Sequence, residues 1–311
     1  MSETDALLPA GRAALLDLLA DLLLREVDAQ MAALLGGDPA LNEALCPPQS
    51  EQSLRELRAT YAQLFLIELP PYASLYLEAP PVVGGESSLH WERFLAAQGQ
   101  PLASLERAAA TDHAGLFLRA LAAAERTGNT AAMISEALRW LPQFFTAVQR
   151  SEGERFYGRA AALATLAVQE SARIVPYAGQ PLPIEGPPAP ADDSLREMAR
   201  WLCTPAWSGW FLSKSRLRQL AAAFGVALGI VEREQMLEQV FEASALDGRT
   251  GELLDALLAE HQHWTAALQE WQQALGAWKH PLEGWETTLQ RTQALLNEMR
   301  LALTSWQPPQ Q

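Results

Sequence analysis

Cysteine, lysine, valine and isoleucine are scarce in this chain, and each shortage removes a class of protein. Two cysteines in 311 residues, Cys46 and Cys203, cannot build a disulfide framework, and neither forms a zinc signature with a pair of histidines. A reducing cytoplasm is the compartment this predicts. Val (9) and Ile (5) are swamped by Leu (52) and Ala (54), so the residues that favour strands are missing and those that favour helices abound. The fold class expected is all-α. Only Lys214 and Lys279 among the 23 basic residues are lysines, and the net charge is −14, which leaves no basic patch for a phosphate backbone. Nucleic acid is not an expected partner. The apolar run Ala13 to Leu24 is interrupted by Asp17 and Asp21, and the start, MSETDALLPAGR, is acidic where a secretory signal is basic, so neither an export signal nor a membrane span is expected. No G-x-x-x-x-G-K-[ST], G-x-G-x-x-G or G-x-S-x-G sequence occurs, so the usual nucleotide and hydrolase routes are not encoded in their familiar form.

What is present is helical period, punctuated. Apolar residues recur at helical spacing over Leu7 to Leu35, Ser53 to Leu69, Leu89 to Gln98, His113 to Arg126, Ala131 to Gln149 and Glu154 to Ile174. Gly36-Gly37-Asp38-Pro39, Pro47-Pro48, Pro80-Pro81 with Gly84-Gly85, and Thr127-Gly128-Asn129 separate them. Pro176 to Asp193 packs six prolines and two glycines without any period and reads as a linker between residues 1–175 and a helical C-terminal region, 194–311. That region holds short helices over Ser194 to Leu202 and Ser213 to Phe224, with Ser213 as an N-cap, and another over Glu232 to Ala245. It ends in two heptad seams. Leu254, Leu257, His261, Trp264, Leu268, Trp271, Leu275 and Trp278 alternate steps of three and four, and the alternation restarts after Pro281 with Leu282, Trp285, Leu289, Thr292, Leu296, Met299, Leu303 and Trp306. A long antiparallel hairpin is predicted, its Trp-Leu stripe serving as core or as a docking or dimer seam.

The most unusual stretch is YAQLFLIELPPYASLYLE, Tyr61 to Glu78, where Pro70 and Pro71 must end the helix running to Leu69. Tyr72, Ser74 and Tyr76 alternate, so on an extended backbone two phenols and a hydroxyl share one side and can meet a ligand. Equally, the tyrosines can plug the end of a bundle while Ser74 caps the next helix. Downstream, Thr111 or Asp112 is positioned to cap the helix beginning at His113; alternatively Asp112 and His113 form a polar anchor for a backbone or a guanidinium. Glu260 and His263 make one E-x-x-H, but a di-iron bundle needs two with further carboxylates, so no metal ligand set is expected. The acidic balance draws cationic ligands at long range, and it also simply keeps a protein dispersed.

Three blocks, YAQLFLIELPPYASLYLE, TDHAGLFLRALAAA and WLPQFFTAVQRSEGERFYGRAAALATLAVQE, resemble in order and separation the TorD/DmsD/NarJ group of cytoplasmic chaperones that mature molybdenum-containing oxidoreductases. The resemblance spans Ser53 to Ile174 and rests on Y-x-x-L-F (Tyr61, Leu64, Phe65), P-Y-x-S-x-Y (Pro71, Tyr72, Ser74, Tyr76) and the Asp112-His113 pair after them. Relatives usually carry Glu-Pro just ahead of that pair, where this chain has Ala109-Ala110-Thr111 and its nearest upstream acid is Glu106. Many members end near the linker; the segment CTPAWSGWFLSKSRLRQLAAAFG is similar to a region of longer ones.

The resemblance implies a TorD-like helical bundle over residues 1–175, without enzymatic activity or cofactor. It implies as partner a molybdopterin oxidoreductase catalytic subunit or its twin-arginine signal peptide, held until the cofactor is inserted. Tyr61, Phe65, Tyr72, Ser74, Tyr76, Asp112, His113 and Leu116 are the peptide-binding residues so implied. A monomer or homodimer fits. The rival readings are a helical scaffold that oligomerises through the hairpin, with the tyrosine block as core, and a metal-dependent helical enzyme using His113, His261 and His263.

Overall fold

The computed structural model describes residues 9–99, 110–177, 190, 194–229 and 231–305. Among them there is helix throughout and no strand, only an isolated antiparallel bridge between Tyr72 and His113. No helix of the described residues is long and apolar enough to cross a membrane. The chain divides into two units, Met1–Pro181 with Gln272–Pro281, and Leu182–Trp271 with Leu282–Gln311. Of the proline-rich stretch 176–193, all but Pro176, Tyr177, and Pro190 lie outside the described residues.

In the first unit, α1 (Pro9–Leu24) lies antiparallel to α7 (Ala114–Thr127). Gly115 makes the approach possible, because a Cβ there would stand 2.8 Å from the Ala20 carbonyl oxygen and 2.6 Å from Leu24 Cγ. Ion pairs flank the seam: Arg119 with Asp21, Arg126 with Asp17, and a buried Arg12–Glu125 pair at 2.6 Å. The period over Leu7 to Leu35 is two helices rather than one. Asp28 starts α2 (Ala29–Gly37) by accepting from the Met31 amide at 2.7 Å, a cap that the uninterrupted apolar spacing hid. Asp38 caps α3 (Pro39–Leu45), and Ser50 caps α4 (Glu51–Tyr61). α4 passes into a π-helical turn, Ala62–Glu68, before the two prolines. Then come the short α5 (Ser74–Leu77) and α6 (Glu86–Ala97).

The period over Ala131 to Gln149 is also broken, into α8 (Thr130–Ala137) and α9 (Leu141–Glu152), with Pro142 in the first turn of α9 where its missing amide costs nothing. α10 (Phe156–Arg173) closes the series. The core of the unit is aromatic: Trp91 stacks on Phe117 at 3.6 Å between centroids, Phe117 meets Trp140 edge-on at 5.4 Å, and Tyr76 tilts against Trp140 at 5.6 Å.

The second unit contains α11 (Leu195–Cys203), α12 (Pro205–Ser208), α13 (Lys214–Ala223) and α14 (Arg233–Leu246). Ser213 caps α13 by accepting from the Arg216 amide at 3.2 Å, as expected. The long α15 (Thr250–Leu275) leads through a 3-10 segment, Gly276–Leu282, to α16 (Glu283–Ser305). Contacts between α15 and α16 run in opposite directions along the two helices: Trp264 meets Trp285 at 6.3 Å, the His261 ring nitrogen meets the Leu289 carbonyl at 2.8 Å, and Asp255 pairs with Arg300 at 3.1 Å. Trp264, Trp271 and Trp285 are buried, as is Trp278, whose indole donates to the Val175 carbonyl at 2.8 Å within the first unit. The second seam opens at its end, where Leu303 is exposed; Trp306 lies outside the described residues.

Candidate functional site

Two loops meet in the first unit, one following the π-helical turn and one preceding α7. The Ala114 amide donates to the Pro71 carbonyl at 2.8 Å and the Ala73 amide donates to the Asp112 carbonyl at 3.0 Å, which clamps Tyr72 against His113. Their rings meet edge to face at 5.1 Å. The motifs separated by some forty residues in sequence are therefore one junction.

Asp112 is fully buried and its carboxylate is fully engaged. Oδ2 accepts from the Ser74 amide at 2.7 Å and Oδ1 accepts from the Ser88 hydroxyl at 2.6 Å. Two expectations are corrected here. Tyr72, Ser74 and Tyr76 do not lie on one extended backbone, because Ser74 opens the helical turn α5, whose first amide Asp112 caps from across the junction. Nor does Asp112 or Thr111 cap α7: His113 does, its Nδ1 accepting from the Gly115 amide at 3.0 Å. Pairing with residues 71–73 aims the Asp112 side chain at α5 and leaves the next side chain to close α7. Burial pushes the His113 pKa down to about 4, against a smaller opposing pull from Asp112, so its imidazole is neutral and Nδ1 is free to accept.

Of the eight residues singled out in the sequence, Tyr72 alone is half-buried; Tyr61, Phe65, Ser74, Tyr76, Asp112, His113 and Leu116 are buried. Tyr61 donates its hydroxyl to the Leu23 carbonyl at 2.8 Å. The Ser74 hydroxyl is buried without a hydrogen-bond partner. Sequence reasoning missed Ser88, whose hydroxyl completes the Asp112 site, and no local pattern marks a serine for that task. It also missed Leu66 and Ile67, 67% and 49% exposed on the π-helical turn, where widened helical geometry often accompanies function. Behind α5 is a cavity of about 430 Å³ floored by Ala73, Leu77, Phe117 and Trp140. At its wall the Glu136 carboxylate lies 3.0 Å from the His90 ring nitrogen and 2.9 Å from Arg139 Nη1.

No group of three or more metal-ligating side chains occurs among the described residues. In the second unit Glu260 of the E-x-x-H accepts from the Trp264 indole at 3.1 Å and pairs with Arg216 at 3.0 Å. His261 donates to the Leu289 carbonyl, and burial lowers its pKa, whereas His263 is exposed. Glu260 and His261 serve the packing of the second unit.

Fold and site together define an all-helical protein in which two loop motifs are joined by paired backbone hydrogen bonds and a buried carboxylate. Residues 25–151 match the family model described as the nitrate reductase delta subunit. The match supports the resemblance of this part of the chain to the NarJ/TorD-like chaperones of molybdoenzyme maturation, a family of chaperones and not of catalytic subunits. No curated protein and no solved structure matches the chain.

Proposed function

We propose that this protein is a cytoplasmic chaperone that binds the twin-arginine signal peptide, or the apo catalytic subunit, of a molybdopterin-containing oxidoreductase of the nitrate reductase kind and holds it for cofactor insertion. The observation that carries the reading is the Tyr72–His113 junction lying inside the segment that matches the delta-subunit family. In this proposal residues 1–175 carry the chaperone function and 194–311 are a helical extension tethered by residues 176–193.

The burial of seven of the eight implied residues divides their work. Tyr72 offers its half-exposed ring to the client, and Leu66 and Ile67 offer apolar contact to a hydrophobic tract. Tyr61, Phe65, Ser74, Tyr76, Asp112, His113 and Leu116 hold the two loops in register beneath them. The sealing of Ser74 and Tyr76 also favours the second reading, in which the tyrosine block is core alone and the protein is a scaffold. A labelled peptide with two adjacent arginines and an apolar tract separates the two. The chaperone binds it, binding weakens as salt rises because the attraction is between partly solvated charges, and replacing both arginines with glutamine weakens it further. Absence of binding, or equal affinity for the two peptides, refutes the reading.

A further inference from the structure

Since Asp112 is wholly engaged inside the fold, an arriving guanidinium must find its acceptors elsewhere. Elsewhere in the first unit, Glu152 Oε2 and the Tyr157 hydroxyl are buried without partners. Tyr61 and Tyr157 lie 6.0 Å apart between ring centroids, with Phe65 edge-on to Tyr157 at 5.1 Å. The last turns of two helices abut this pair. From α1 comes the Leu23 carbonyl, bound by the Tyr61 hydroxyl, followed by the exposed Glu26. From α9 comes Glu152, its final residue, with Oε2 buried and without a partner. Helix C-termini present carbonyls and partial negative charge, so both backbones add to the carboxylates. The Tyr157 hydroxyl sits among them, 1% exposed at the residue level and likewise without a partner.

Arg25 pairs with Asp21, Arg58 donates to the Val27 carbonyl, and Arg155, ahead of α10, is an exposed side chain that only partly offsets the burial of Glu152. Every charge acting on the two phenols raises their pKa, that of Tyr61 to about 12, with burial first and then Tyr72 and Glu26. A close approach of backbones fixes the geometry, since a Cβ on Gly158 would stand 2.0 Å from the Gly153 carbonyl oxygen and would push the end of α9 away from α10.

We propose that Glu26, Glu152 and the Tyr157 hydroxyl form a receptor for a guanidinium group of the client, placing the arginines on the Tyr61–Tyr157 side of the junction and the apolar tract on the Leu66–Ile67 side. This rests on the chaperone reading above and names the chemistry that reading requires. A guanidinium brings five donors in a planar fork, and the Glu26 and Glu152 carboxylates and the Tyr157 hydroxyl offer it acceptors, Glu152 Oε2 and the Tyr157 hydroxyl having no partner in the free protein.

Fluorescence anisotropy with the diarginine peptide and its diglutamine counterpart tests it, using the full chain and four variants: Glu26→Gln, Glu152→Gln, Tyr157→Phe and, as an exposed control in the second unit, Glu298→Gln. Each glutamine change at the receptor lowers affinity for the diarginine peptide about ten-fold, the size of one lost charge-assisted contact, and leaves the diglutamine peptide unaffected. Tyr157→Phe lowers diarginine affinity while the melting temperature holds, because the hydroxyl has no partner to lose in the free protein. Glu298→Gln keeps the full preference for arginine. If the parent chain prefers diarginine and the double variant Glu26→Gln/Glu152→Gln retains that preference undiminished, the receptor is elsewhere and this inference falls while the chaperone reading stands. If the parent chain binds neither peptide, both fall.

Discussion

Replacing Asp112 with alanine strips two donors of their acceptor at a point that water does not reach. The Ser74 amide, at 2.7 Å, and the Ser88 hydroxyl, at 2.6 Å, both donate to a carboxylate that is 0% exposed. A hydrogen bond to a charged group contributes about 1.5–3 kcal/mol, so two of them amount to about 3–5 kcal/mol once some relaxation is allowed. Urea unfolding followed by helical circular dichroism reads this as a midpoint lowered by about 2 M if the slope is about 2 kcal/mol/M. Hydrogen exchange locates the loss, with the Ser74 amide and the first turn of α7 losing protection first. Asp112→Asn, which keeps one acceptor, falls between the variant and the parent. The reasoning is refuted if Asp112→Ala unfolds at the parent's midpoint with unchanged slope, or if it keeps full stability and loses only client affinity, since the carboxylate would then face the ligand rather than α5.

Three other outcomes follow from the same structure. His113 has its folded pKa at about 4, below the ordinary 6.5, so the unfolded chain binds more protons between those values; the stability from neutral His113 is full above pH 6.5 and is lost as pH falls towards 4, and His113→Asn, which keeps a capping acceptor, flattens that part of a pH–stability profile. Trp271, buried in the α15 seam, costs about 3–5 kcal/mol on truncation to alanine, and a thermal melt that does not move would show the stripe to be superficial. Gly158→Ala drives a methyl group to 2.0 Å from the Gly153 carbonyl oxygen, which the backbone must yield to, at about 1–3 kcal/mol; a melting temperature equal to the parent's would mean that α9 and α10 separate freely there.

The helical class of this protein is written in its composition, because Leu and Ala outnumber Val and Ile so heavily that no sheet has material. The heptad seams are equally local facts: spacing put Trp264, Trp271 and Trp285 on apolar faces, and packing buries them as core where the sequence left a docking or dimer seam open. The order of the tyrosine block and the Asp-His pair was also legible, as was the stop at Pro70. Helix breaks at Asp28 and at Leu138–Trp140 were not, because apolar spacing continued through them and only a cap or a proline at the start of the next helix revealed the turn.

The roles at the junction needed the third dimension. Whether Asp112 caps its own helix or a turn 38 residues away depends on which backbone runs beside it, and sequence neighbours carry no record of that. The bridge between Tyr72 and His113 made the choice, handing the α7 cap to His113 and burying Ser74 and Tyr76 as core. Glu152 and the Tyr157 hydroxyl were invisible for the same reason, since an acceptor is left over only relative to the donors that packing brings near it. Local chemistry decided which segments are helices; long-range pairing decided which polar atoms are consumed by the fold and which are left unpaired.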